Sequence, residues 1–388
     1  MIKRTNDIIK LSEIGSFFPV LVLVGPRQVG KTTLAKQYAE QNNIDYIYLD
    51  LERPSDVEKL KDAERYLSEN ADSLIIIDEV QRMPALFSLL RSLVDENPRP
   101  NRFILLGSAS PHIVKGISET LAGRSYLLEL YPFNWLEIKD AIAFEKHFFN
   151  GGFPKAALTA SPKMVSLWLK GFIQTYLERD LPMLDTPATP ATLGRLWRFV
   201  ASQNGQLTNF TAIGNAMGLT YNTIKKYLDF MEGAFLITQL LPYIPNSTKK
   251  LVKAPKVYIR DTGILHSLLD IKDYNQLYSH IVVGSSWETY VLAQLRANLS
   301  DEYVFYFYRT HAGAEIDLIV TKAEMAVATI EIKFSMSPSL TKGYYSALED
   351  IGVAKNYVIV PGNADYPIKD NARVVGIVTF LEKYLAEF

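Results

Sequence analysis

Cysteine is missing altogether from these 388 residues. Its absence excludes disulfides, thiolate catalysis and cysteine-ligated zinc, and it suits a reducing cytoplasm. An excess of either charge is lacking too: 41 Lys and Arg stand against 42 Asp and Glu, a formal net charge of −1. Nothing global therefore announces nucleic acid or an anionic membrane, and any basic surface must be local. The longest apolar runs, such as "VLVLV" and "LIIID", fall far short of the roughly 20 residues that cross a bilayer. The opening "MIKRTNDIIKLSEIGS" has no apolar secretion region. A cytoplasmic protein with no membrane partner is expected. Internal repeats and low-complexity tracts are also absent.

What remains is an ordinary globular composition, 48% apolar and 21% charged, in a chain long enough for roughly two to four domains. Residues 1–135 alternate short apolar runs with amphipathic helical stretches. Strands are predicted at Val20–Val24, Tyr46–Leu49, Leu74–Ile77, Phe103–Leu106 and Tyr126–Leu130. Continuous rather than alternating apolar runs mark strands buried on both faces, so an α/β core is expected, with a parallel sheet and helices on both faces. Residues 136–204 read as a helical segment or lid, punctuated by "NGGFP" and "TPATPA". Residues 205–270 read as two short helices and then strands. Residues 271–388 read as a C-terminal α/β domain, with the helix "SSWETYVLAQLRANL" ahead of strands at "YVFYFYR", "IDLIV", "ATIEIKF" and "NYVIV".

The stretch from Gly25 to Thr32 fits G-x-x-x-x-G-K-S/T at every fixed position, between a predicted strand and a predicted helix. Glycines let the backbone curl until its N–H groups face phosphate oxygens, and the helix N-terminus adds a favourable dipole. Gly25, Pro26, Arg27, Gln28, Val29, Gly30, Lys31, Thr32 and Thr33 are the expected ATP-binding residues. Lys31 would reach the β- and γ-phosphates and the Thr32 hydroxyl would bind Mg²⁺. In "SLIIIDEV" an acid at the C-terminal end of a buried strand emerges at the edge that carries the phosphate loop. Asp78 then holds Mg²⁺ and Glu79 polarises the attacking water. "FILLGSAS" places Ser108 and Ser110 between the two, as a γ-phosphate sensor or as plain turn residues. "LAGR" supplies Arg124, as a transition-state arginine in cis, as one presented to a neighbouring subunit, or as a surface arginine.

"GPRQVGKTT", "LIIIDEVQRMP", "FILLGSAS", "LAGR", "NGGFP", "YLERD" and "KAPKVYIRDTGIL" occur in the same order as in a large family of prokaryotic AAA-type ATPases, which this chain resembles over nearly its whole length. Members carry a C-terminal domain of largely unassigned role. The resemblance implies an AAA ATPase core with Lys31, Asp78 and Glu79 as its catalytic set.

In "GQLTNFTAIGNAMGLTYNTIKKYLDFMEGAFLI", Phe210, Ile213 and Met217 share one helical face, Gly218 stops that helix and Thr220 caps the next. Ile224, Leu228 and Met231 form the second apolar stripe, leaving Asn222, Thr223, Lys225 and Lys226 exposed. This is the outline of a winged helix. One reading lays its second helix in DNA, with Lys249, Lys250, Lys253 and Lys256 near phosphates; the other makes it an ATPase lid or a protein-interaction module.

The C-terminal stretch "EIDLIVTKAEMAVATIEIKFS" sets acids into strand-like runs. A hairpin turning around Glu324 would place Asp317 opposite Glu331 and Glu315 opposite Lys333, all on one face. Like charges that close need a cation between them or exposure to solvent, and Mg²⁺ or Mn²⁺ would suit carboxylate oxygens. Lys333 could orient a water or stabilise charge on a phosphate. This pattern is similar to the restriction-endonuclease-like PD-(D/E)xK superfamily. Asp317, Glu331 and Lys333 match its core and Glu288 its helix glutamate, whereas Ile316 replaces the usual proline. The resemblance implies a second metal site with nuclease chemistry. A nuclease fold without activity and a solvated set of hairpin charges are the other readings.

Overall fold

In a computed structural model, which describes residues 2–108, 119–184, 186, 188–245 and 249–388, the chain forms two compact units. The first is Met1–Tyr131 with the short stretches 183–186 and 233–235, and the second holds 132–182, 187–232 and 236–388.

The first unit is built on five strands at the predicted places: β1 (Val20–Gly25), β2 (Tyr46–Asp50), β3 (Leu74–Asp78), β4 (Phe103–Ser108) and β5 (Ser125–Glu129). They lie parallel in the order β2-β3-β4-β1-β5. Around them run α1 (Thr5–Gly15), α2 (Lys31–Gln41), α3 (Pro54–Lys59), α4 (Ala63–Glu69) and α5 (Leu86–Glu96). Side chains leave a strand to alternate faces. Val22, Val24, Ile75 and Ile77 therefore pack with Leu90 and Leu93 of α5. Leu21, Leu23, Ile76 and Ile104 pack with Leu11 of α1 and Leu34 and Tyr38 of α2. Both faces are covered, which is why β1 and β3 read as unbroken apolar runs. Parallel register brings Gly25 beside Ser108 and Asp50 beside Asp78 at one edge.

The second unit carries α6 (Pro162–Thr175), α7 (Pro190–Ser202), α8 (Phe210–Met217), α9 (Tyr221–Gly233), α10 (Val283–Asn298) and α11 (Lys342–Ile351), besides shorter helical turns. By its contacts the helical stretch expected as a lid belongs to this unit. Gly218, left-handed at φ 69°, ends α8, and Thr220 Oγ1 accepts the Thr223 N–H at 3.2 Å to cap α9.

Its sheet contains β6 (Ile237–Pro242), β7 (Lys256–Ile259), β8 (Tyr303–Arg309), β9 (Glu315–Lys322), β10 (Met325–Ile332), β11 (Lys355–Val360), β12 (Asp365–Pro367) and β13 (Ala372–Gly376). The order is β12-β13-β11-β10-β9-β8-β6-β7. Trp287, Val291 and Leu295 of α10 cover one face, and Tyr344, Ala347 and Leu348 of α11 the other. Across the expected boundary at 270/271, β6 pairs in parallel with β8 through Leu241–Tyr306 and Pro242–Phe307, so the strands that follow α9 continue the sheet of the C-terminal strands.

Candidate functional site

The phosphate loop is shaped by positions that tolerate little else. Gly25 has φ 147°, and a Cβ there would sit 2.4 Å from the Leu130 carbonyl oxygen. Gly30, left-handed at φ 105°, starts α2 with no side-chain cap, so the first N–H groups of the helix meet no local acceptor of that kind. Val29 is buried among Leu34 and Tyr38, pinning the loop to the sheet. Lys31 folds back over the loop, its Nζ donating to Gly25 O at 2.9 Å and Pro26 O at 3.0 Å. Burial lowers its pKa to about 8, although Glu79 and Asp78 pull the other way.

The acidic edge meets this loop as expected. Thr32 Oγ1 donates to Asp78 Oδ2 at 2.6 Å, and the Glu79 N–H reaches Asp78 Oδ1 at 3.0 Å. Glu79 is itself left-handed at φ 54°. Its carboxylate accepts from the Gln81 amide and lies 3.8 Å from the Arg27 guanidinium. A hydroxyl and a carboxylate side by side are hard oxygen donors, so Thr32 and Asp78 fit Mg²⁺. Gln28 and Thr33 are exposed beside them.

Nothing in the sequence singles out Tyr48. Its hydroxyl donates to the same Asp78 oxygen at 2.9 Å, and its ring lies under Lys36 at 3.8 Å. The available signal is its place in the middle of β2, two residues before Asp50, which pairs with Asp78.

Two expectations fare differently. Ser110 and the Ser108 side chain lie outside the described residues, although the Ser108 backbone sits beside Gly25. Arg124 precedes β5, whose first residue pairs with Val20. That is the opposite end of β1, roughly 16 Å away at about 3.3 Å per residue. There its guanidinium holds Asp95 of α5 in a two-pronged pair, at 2.5 and 3.0 Å. A role in cis is out of reach.

The C-terminal acids also come together, by a route the sequence does not show. The hairpin turns at Ala323 and Glu324, both with positive φ, and a bulge at Val327 then shifts the register by one. Continued past Ile330–Leu318, that register sets Glu331 opposite Asp317. A second bulge lies in β9, where Asp317 and Leu318 together face Phe307 of β8. Bulges re-aim side chains. Asp317 Oδ2 accepts the Ile332 N–H at 3.0 Å and lies 3.9 Å from Lys333 Nζ, which donates to Glu331 Oε1 at 2.6 Å. Glu288 of α10 accepts from the Tyr258 hydroxyl at 2.7 Å.

The expected pairing of Glu315 with Lys333 does not form. Glu315 instead meets Arg309 at 3.4 Å and Lys256 at 3.1 Å. Lys256, read as a phosphate contact, is only 4% exposed, and its Nζ also lies 3.4 Å from Asp317 Oδ1. Burial opposes its charge, but Asp317, Glu288 and Glu315 outweigh burial and hold its pKa above the ordinary lysine value. Burial, with Asp317 adding, pushes Glu288 and Glu331 well above the usual carboxylate range. Lys249 is likewise occupied, by Asp350.

These residues do not fit a second divalent ion. Among the described residues no three Asp, Glu or His side chains are arranged as ligands of one ion. Asp317 has one oxygen toward each lysine, and Glu331 Oε1 is taken by Lys333. Glu331 Oε2 is buried and unpartnered, a single donor where Mg²⁺ or Mn²⁺ would take several oxygens.

Residues 18–139 match a family model described as an AAA domain, and 142–275 and 283–380 match two domains of unknown function, DUF8612 and DUF4143. With the phosphate loop and its acidic edge, this defines the class of the first unit: a P-loop domain of the AAA type. An uncharacterized protein of Mycobacterium tuberculosis, Rv2008c, is 37% identical over 377 residues, 97% of this chain and 84% of that protein. An uncharacterized Haemophilus influenzae protein is 23% identical over 308 residues, 71% of this chain and 75% of that protein. The chain belongs to the family of the mycobacterial protein. Among solved structures, the Walker-type ATPase of Pyrococcus abyssi matches 69% of this chain and 96% of its own length, with 15% identity and a TM-score of 0.47.

Proposed function

We propose that the chain binds ATP with Mg²⁺ in the cytoplasm and hydrolyses it, and that the nucleotide state regulates engagement of a protein partner. The contact of Thr32 with Asp78 at 2.6 Å, beside Lys31 folded on the loop, carries the reading. Lys31 would exchange its two carbonyl partners for β- and γ-phosphate oxygens. Mg²⁺, held by Thr32 and Asp78, would neutralise charge on those phosphates. Glu79, positioned by Gln81 and Arg27, would orient the attacking water and receive its proton. In a homo-oligomer, Arg124 would serve a neighbouring copy only after releasing Asp95.

The competing reading is a winged helix on DNA. Asn222, Lys225 and Lys226 are exposed on α9 and support it. Against it, Lys249 and Lys256, two of the four lysines expected near phosphates, are engaged by carboxylates of the same unit. A steep fall of DNA affinity with salt would favour DNA; no measurable binding favours the protein-binding switch.

Lys31→Ala is expected to abolish ATP binding. Glu79→Gln should keep binding and lower turnover by about 100-fold or more. Unchanged ATP affinity in Lys31→Ala would remove the assignment.

A further inference from the structure

Lys256 occupies an unusual place for an ammonium. It opens β7, where its backbone pairs with Leu240 of β6 and bridges to Leu207, so main-chain bonds on both sides fix its origin. From there the side chain runs past the Phe307 ring, 5.5 Å from its centroid, and ends between Glu315 and Asp317. Tyr258, two residues on and therefore on the same face of β7, closes on Glu288. Lys333 enters from the end of β10 and takes Glu331. Four acids thus surround two lysines, with Arg309 on the outer acid.

We propose that the Lys256 ammonium is the resident cation of this cluster, standing where a nuclease of the same outline would hold a divalent metal, so that the cluster is a closed ionic lock and not a phosphodiester-cleaving centre. An ammonium offers three N–H donors and no coordination site, so it satisfies carboxylates but cannot bind and activate a water as a metal does. Buried carboxylates left without a cation are costly. Removing the lysine should therefore open a cavity lined by Asp317, Glu315, Glu288 and the unpartnered Glu331 oxygen, the donor chemistry that Mg²⁺ and Mn²⁺ prefer.

The test is a Mn²⁺ titration of the full chain without nucleotide, read by electron paramagnetic resonance, which counts free ion. Wild type and Asp317→Asn are expected to bind Mn²⁺ alike. Lys256→Met, which keeps length and packing, is expected to gain one Mn²⁺ per chain at least tenfold tighter, and Lys256→Met with Asp317→Asn to lose it. Tight Mn²⁺ in wild type that disappears in Asp317→Asn would overturn the proposal, as would a folded Lys256→Met that gains no ion. Should Lys256→Met fail to fold, thermal melting of wild type decides. A Tm equally insensitive to Mn²⁺ in wild type and Asp317→Asn supports the lock, and a rise confined to wild type overturns it. Lys31 and Asp78 are untouched in every variant, so either result leaves the ATPase reading standing.

Discussion

Lys31 keeps its charge against the pull of its surroundings. Burial has brought its ammonium down to about 8 in the free site, with Glu79 and Asp78 resisting. A polyphosphate arriving at Nζ would raise that value, so above pH 8 binding must take up a proton. ATP affinity should hold steady below that pH and fall as pH climbs past it, by up to tenfold per unit. Calorimetry in buffers of differing ionisation enthalpy would show the uptake directly; affinity flat from about pH 7 to 9.5 would contradict it. At this scale the sequence is uneven. The loop residues are legible because their neighbours in the site are also their neighbours in the chain. Tyr48 and Lys256 are not, because their partners Asp78 and Asp317 lie 30 and 61 residues away. Nothing in "KKLVKAPKVYI" separates Lys256 from Lys249, Lys250 or Lys253 except the strand alternation that sets it on the face of Tyr258.

Turns and bulges decide what the elements present. Alternation in "EIDLIV" and "ATIEIKF" puts Asp317 and Glu331 on one face, and the two-residue arithmetic sets them opposite only because the bulge at Val327 makes up the residue that the tighter turn removes. It fails for Glu315 and Lys333 because β10 ends at Ile332 and β9 bulges at Asp317, neither of which leaves a mark in an apolar run. A similar junction joins two quoted motifs. In "NGGFP" and "RDTGIL", Asp261 accepts the N–H groups of Gly152 at 2.8 Å and Ile264 at 3.0 Å. A Cβ on Gly263 would lie 2.0 Å from the Asn150 carbonyl oxygen. Backbone cannot yield as a flexible side chain does, so Gly263→Ala should cost on the order of 3 kcal/mol, seen as a lowered Tm. Gly171, inside α6 with open space around it, is the control: Gly171→Ala should be neutral or stabilising by about 0.5–1 kcal/mol. Equal effects of the two would refute the packing argument.

For the molecule as a whole, three acids of the second unit, the buried Asp261 and Glu331 and the half-buried Glu288, titrate in one direction. Burial raises Asp261 to about 6, and Glu288 and Glu331 also stand well above the ordinary range. Each therefore binds its proton more tightly folded than unfolded, where carboxylates release it near pH 4. Stability of this unit should fall as pH rises from about 4 through 6 and onward toward neutrality. Asp365, held at about 2 by Arg373, titrates below that window. Melting curves between pH 5 and 8 would register the decline, and Glu331→Gln should flatten its upper part; a Tm that climbs with pH would contradict it. The α/β class of the first unit was readable in advance because every buried strand is one apolar run. The joining of the last two expected domains was not, since it rests on the β6–β8 pairing. That pairing bears on how the chain can be divided. The family models part between residues 275 and 283, with Lys256 on one side and Glu288, Asp317 and Glu331 on the other. A fragment beginning at 283 would keep the acids, lose the ammonium that balances them, and bare the edge of β8 that β6 covers. What looks like two modules in the chain shares one sheet and one cluster of charges, with the ammonium in the first and the acids in the second.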